Sequence, residues 1–253
     1  MLLRRIIAHF RKQEWTAVGI DFVIVVLGVF IATQVAEWSA AQADRRRGEA
    51  YVERLIGDLE VDLQSRRAAV AYYDAVYQSA ERANALLTSP SPDPRALVIS
   101  AYRATEYSYN PPTRATWDEI VSSGDLALIP RSAVENGLAE YFSIDTALNV
   151  RSALRESEYR HLVRSTLPHE VQNAIREGCS DVRDANGRIT GFREDCTLGV
   201  SDAAIAEAAR ALRQNPAILS ELRYQFSDVR SARANLRGDV TFLEGALAAL
   251  RAE

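Results

Sequence analysis

The chain has 253 residues, 47% hydrophobic and 25% charged, an ordinary globular mixture that argues against wholesale disorder. Its net charge of −4 conceals four cations near the N-terminus, Arg4, Arg5, Arg11 and Lys12; the remainder carries 26 basic against 34 acidic residues, a net of −8. Binding to nucleic-acid phosphates needs a basic face, so the main body is not expected to bind nucleic acid.

Residues 1–14 read as a short basic segment, and residues 15–38 as a transmembrane helix. Between Trp15 and Trp38 only Asp21 and Glu37 ionise. At about 1.5 Å per residue the segment spans about 36 Å, enough for a hydrocarbon core of about 30 Å. The two tryptophans bracket it as interfacial residues do. A cleaved signal peptide is the rival reading. The apolar run is longer than a signal's core, however, and no small-x-small site follows it, so an uncleaved anchor is expected. Positive charge sets orientation, and Arg45, Arg46 and Arg47 on the far side rival the four N-terminal cations. The balance leans towards a cytoplasmic N-terminus and a periplasmic body at a bacterial inner membrane.

Asp21 is the anomaly of this helix, because an acid at a membrane-helix centre costs about 2.5–3.5 kcal/mol. At 100° per residue Asp21, Gly28, Ala32 and Ala36 share one stripe, and small residues four apart let helix backbones approach in lipid. Phe22, Val26, Val29 and Phe30 lie on other faces that suit lipid. The stripe therefore predicts self-association or packing on another membrane protein. Asp21 has two readings. In one it couples an ion, by an analogy of layout with bacterial stator subunits and with an unidentified multi-pass partner. In the other it only reaches interfacial water or Arg11 and Lys12.

From Trp38 to Ser89 there is no proline. Val52, Ile56, Leu59, Leu63, Arg66, Val70, Tyr73, Tyr77, Ala80, Asn84 and Leu87 recur at alternating four and three, a coiled-coil-like seam on a stalk helix over about 46–88. SPSPDP, Ser89 to Pro94, stops it, and Asp93 with Pro94 is expected to open the next helix. Tyr102, Tyr107, Tyr109 and Trp117, around Asn110-Pro111-Pro112, form the most ligand-like aromatic set. Their plainer role is a packed core corner. Thr116-x-x-Glu119 and Ser132-x-x-Glu135 read as capping boxes, which predicts helices starting at Trp117 and Ala133, the second running to Thr166. Pro168 opens a further turn or helix ending at Gly178.

Cys179 and Cys196 flank a segment whose centre, Asn186-Gly187, is a strong signal for a tight hairpin turn. Two cysteines on the arms of one hairpin predict a disulfide in an oxidising compartment; a reduced buried pair is the alternative. A zinc site is not expected, since only His161 and His169 could join and neither has ligand spacing. Asp184, Asn186, Gly187 and Ile189 match calcium-loop offsets. Val182 and Arg193 at the first and twelfth places defeat that reading.

A helix over Asp202 to Gln214 precedes Pro216. Leu219, Leu222, Phe226, Val229, Arg233, Leu236, Val240, Leu243, Leu247 and Leu250 then repeat the seam on a second stalk helix, about 216–252. Paired antiparallel, the two would bring Leu87 to Leu219 and Leu250 near Val52. Arg66 and Arg233 would then share one polar layer, either an anion or ligand site or a set of local ion pairs.

The block WTAVGIDFVIVVLGVFIATQVAEW after a short basic start, with TWDEIVSSGDLALI about eighty residues later, resembles a family of uncharacterised bacterial single-pass membrane proteins with helical extracytoplasmic regions. Trp38-Ser39 departs from the Trp-Asn expected there. The resemblance implies architecture only, with no activity or catalytic residues to transfer.

The expectation is an all-α protein, with an N-terminal transmembrane helix and an elongated antiparallel helical bundle over residues 39–253. Shorter helices over 94–215 lie between the stalk helices, with one small disulfide-closed hairpin. The chain has no phosphate-cradling glycine loop, no HExxH and no nucleophile elbow. Neither metal nor cofactor is expected, and the function expected is non-enzymatic: an interaction, scaffold or sensory module, with an enzyme built around the aromatic set as the less favoured alternative.

Overall fold

A computed structural model of the chain describes residues 15–252, with side chains described from residue 19. The basic segment with Arg4, Arg5, His9, Arg11 and Lys12 lies outside the described residues. The protein is 79% helix and 3% strand, so the all-α expectation with one small hairpin holds. It divides into two compact units, Met1–Tyr51 and Val52–Glu253.

Helix α1 covers Trp15–Thr88. Within the first unit its apolar residues, Ile20 to Val35, are exposed on every face, as is Trp38. One helix among the described residues is thus long and apolar enough to cross a membrane, and it lies near the N-terminus.

The second unit, among the described residues, is built from the rest of α1 and nine further helices, with an extended segment before Ala115 and the hairpin before Asp202. Helix α2 (Pro94–Arg103) opens as expected: the Asp93 carboxylate accepts from the backbone N–H groups of Arg95 and Ala96, and Pro94 occupies the first turn. Helix α3 (Ala115–Ser123) leads through a 3₁₀ turn, Asp125–Leu128, to the single turn α4 (Arg131–Ala133). A π-turn, Val134–Leu138, follows, then α5 (Ala139–Ser143) and α6 (Thr146–Arg155). Helices α7 (Glu158–Thr166) and α8 (His169–Gly178) precede strands β1 (Asp181–Arg183) and β2 (Ile189–Phe192). Helices α9 (Asp202–Gln214) and α10 (Pro216–Arg251) close the chain, each capped by its preceding residue, Ser201 and Asn215.

The capping-box expectations fail for a visible reason. Helix α3 starts two residues early, at Ala115, and the Thr116 hydroxyl donates to Asp58 at 2.6 Å instead of capping. Ser132 and Glu135 likewise start nothing, because the turn already begins at Arg131 after Pro130. The single helix expected from Ala133 to Thr166 is broken at Gly137, which has φ +140°, and again at Ile144 and Glu156. A Cβ on Gly137 would lie 2.2 Å from the Phe242 carbonyl oxygen, so the break lets this segment press against α10.

Helices α1 and α10 run antiparallel within this unit, joined by the pairs Arg66–Asp239, Arg67–Glu244 and Asp74–Arg233. Arg251 pairs with Glu60, so the end of α10 stops about two turns short of the level expected, Val52. The buried stripe is also rotated from the expected seam. Leu59, Arg66, Tyr73 and Ala80 are buried as expected. Their buried neighbours, however, are Leu55, Asp62, Ala69, Val76 and Ala83, while Ile56, Leu63, Val70, Tyr77 and Asn84 are half-buried. The same one-residue rotation recurs over most of α10, where Ile218, Gln225, Ala232, Asp239 and Ala246 are buried beside Leu222, Val229, Leu236, Leu243 and Leu250, while Leu247 near the end is buried as expected. The intervening helices cause it, since they pack on the flank of each long helix that carries alanine and acidic residues.

One core cluster joins Ala80 and Ala83 of α1 to α2, α7, α8, α9 and the start of α10, through Leu97, Val98, Tyr159, Val163, Ile175, Ile205 and Leu222. A second holds Tyr72, Tyr73 and Val76 against Val150, Leu154, Val229 and Leu236. Phe192 and Ile189 of the hairpin pack on its edge.

Candidate functional site

The sequence-predicted residues separate in space. Asp21, Gly28, Ala32 and Ala36 all fall on α1 with exposed side chains, and no atom lies within 4 Å of a Cβ built on Gly28. Arg66 and Arg233 do not share a layer. Arg66 pairs with Asp239, whereas Arg233 pairs with Asp74 at 2.5 Å and lies over the Tyr77 ring. Asp74 stands about two helical turns beyond Arg66 on α1, and the two arginine pairs are separated by that distance.

Among the described residues no ring–ring contact joins Tyr102, Tyr107, Tyr109 and Trp117, although Arg160 acts on both Tyr102 and Tyr107. Each takes its own neighbour: Arg164 lies 3.4 Å from the Tyr102 ring centre, Arg160 over Tyr107, and Arg151 over Tyr109, while Trp117 stacks on Phe142. Cys179 and Cys196 are joined as a disulfide. The hairpin turns where expected, with Gly187 at φ +79° and the Asp184 carboxylate accepting from the N–H groups of Asn186 and Arg188 and from Arg188 Nε. Those bonds hold the Asp184 carboxyl below its ordinary range, the Arg188 side chain first among the causes. His169 Nε2 sits 3.0 Å from the Asn173 amide, and no metal-ligand cluster occurs among the described residues.

Two arrangements were not foreseen. The first is a buried polar network around Arg66, which is 1% exposed. Arg66 Nε donates to Asp239 at 3.1 Å, Nη1 donates to the Asn110 carbonyl at 2.8 Å, and the guanidinium lies 5.7 Å from the Tyr141 ring centre. Asp62, 2% exposed, accepts from Thr113 N–H, the Thr113 hydroxyl and the Tyr141 hydroxyl. Asp239 also accepts from the Thr146 hydroxyl at 2.8 Å. Burial pushes the Asp239 carboxyl up, against the pull of Thr146 and Arg66, and burial raises the Tyr141 hydroxyl. Both carboxylates are occupied by donors from the chain, so the network acts as a tie. It fastens the extended 105–114 segment and α5 to the two long helices.

The second is a groove of about 490 Å³ whose walls are α1, α2 and β2. Gln78, Ser79 and Arg82 line it from α1, Arg95, Ile99 and Arg103 from α2, and Phe192 and Cys196 from the hairpin side. Arg95 pairs with Asp202 at 2.8 Å. Arg103 lies 5.0 Å from the Phe192 ring centre, donates to the Arg193 carbonyl, and approaches Cys196 Sγ at 3.8 Å. Its Nε is buried without an acceptor. Burial lowers the Arg103 pKa; Asp181 opposes this, and Arg82 adds to it. The sequence offered little sign of this groove, because its three arginines come from two helices that only the tertiary packing brings together.

Comparison of the chain with protein-family models, with characterised proteins and with solved structures finds no match.

Proposed function

We propose that this protein is a non-enzymatic, membrane-anchored helical module that serves interaction, scaffolding or sensing, with its body on the periplasmic side of a bacterial inner membrane. The observation that carries the reading is the stretch of α1 from Ile20 to Val35, whose large apolar side chains are exposed on all faces. Water would oppose that exposure at about 25 cal/mol per Å², whereas lipid accepts it. The Cys179–Cys196 disulfide supports an oxidising compartment for the body. The resemblance to single-pass membrane proteins supports the same layout.

The stripe of Gly28, Ala32 and Ala36 is the proposed contact face within the bilayer. Crosslinking in native membranes, followed by recovery of the protein, is expected to capture a second copy or another membrane protein. Gly28→Leu with Ala32→Leu should weaken that crosslink, and an unchanged pattern would remove the packing face. A membrane-impermeant thiol reagent added to intact spheroplasts should label Cys179 and Cys196 only after reduction. Labelling that requires lysis would reverse the orientation.

The second reading, an ion-coupling role for Asp21, is favoured by the exposed position of Asp21 on the helix. Asp21→Asn should then abolish the cellular phenotype of the protein while expression and crosslinking persist. Full activity of that variant would sink the idea.

A further inference from the structure

The groove between α1, α2 and β2 gathers cations on a body whose net charge is negative. Among the described residues neither Arg82 nor Arg103 forms an ion pair, and Arg103 is held charged chiefly against the cost of its own burial, which Asp181 offsets and Arg82 adds to. The two carboxylates on the lining are Asp93 and Glu194; Asp93 is committed to capping α2. Apolar surface from Ala75, Ala96, Ile99 and Phe192 lies beside the guanidinium groups. A volume of about 490 Å³ falls within the range of small-ligand sites.

We propose that this groove binds a small organic anion, its carboxylate or phosphate between Arg82 and Arg103 and its apolar part against Phe192 and Ile99. An oxyanion there accepts charge-assisted hydrogen bonds from the two guanidinium groups, neither of which has a carboxylate partner among the described residues. Phe192 lines the groove while its ring also carries Arg103 and Tyr72, and Cys196 ties the hairpin to the end of α8. The proposal rests on the sensory form of the function above, and it would give that form its ligand.

The test uses the full chain in lipid nanodiscs, titrated separately with inorganic phosphate and with benzoate and followed by the NMR signals of arginine Nε–H groups. Saturable shifts with at least one probe are expected. The benzoate arm reports a need for an apolar part, and the phosphate arm reports the oxyanion alone. Arg82 is exposed, so Arg82→Gln should fold; it should weaken binding at least about tenfold, as loss of a charged hydrogen bond does. Arg230→Gln, outside the groove, should bind as the parent does. Absence of saturable shifts with both probes, or equal binding by Arg82→Gln and the parent, would overturn the proposal. Because the crosslinking experiment reads the membrane helix and this one reads the groove, the failure of either is distinguishable.

Discussion

Arg66 and Asp239 show how much one residue pair decides. Both are buried, and each satisfies the other together with Asn110, Thr146 and the Tyr141 ring. Arg66→Met leaves the Asp239 carboxylate buried without its cation, which costs about 3–5 kcal/mol. Chemical denaturation should record that loss. The double variant Arg66→Met with Asp239→Leu should recover much of it, because an apolar pair of similar volume removes the unpaired charge. If the double variant is no more stable than the single one, the buried pair is not the source of the loss. Arg66 was legible in the sequence as a charge in an apolar seam. Its partner was not, because Asp239 stands one place off the expected seam of α10.

At the scale of the element, the informative feature is the break after Ala133. Ser132, Glu135 and the run to Thr166 all favour a helix locally, yet Gly137 adopts φ +140° where a side chain is strained. Its backbone packs on Phe242, while a Cβ on Gly245 would lie 2.5 Å from the Asn136 carbonyl oxygen. Gly137→Ala therefore meets both a steric clash and an unfavourable φ. A loss of at least about 2 kcal/mol is expected, measured as a lower denaturation midpoint. A neutral result would mean that the π-turn relaxes without cost. The capping boxes misled for a related reason, since a hydroxyl or carboxylate suited to capping bonds wherever a stronger partner lies. Thr116 found Asp58.

Across the whole body, buried tyrosines link the folded state to pH. Burial raises the Tyr72, Tyr141 and Tyr159 hydroxyls, and it pushes Tyr73 up to about 12. Folding thus favours the neutral phenol. Its contribution is complete below the ordinary tyrosine value of about 10 and is lost as pH rises through the raised values. In an alkaline titration, part of the tyrosinate absorbance should appear only together with loss of helical circular dichroism. Smooth titration of all ten tyrosines with the helix signal intact would contradict their burial. The sequence by itself determined the long apolar segment near the N-terminus, the helical class, the hairpin with its cysteine pair, and the starts of the helices at Pro94, Asp202 and Pro216. These follow from local periodicity, capping and turn chemistry, which act over a few residues. Only the tertiary structure decided the rotation of both long helices by one residue, the pairing of Arg66 with Asp239, the arginine and ring partners of the aromatic set, and the arginine groove. Each depends on which flank the intervening helices cover, and that is settled by packing between residues far apart in the chain.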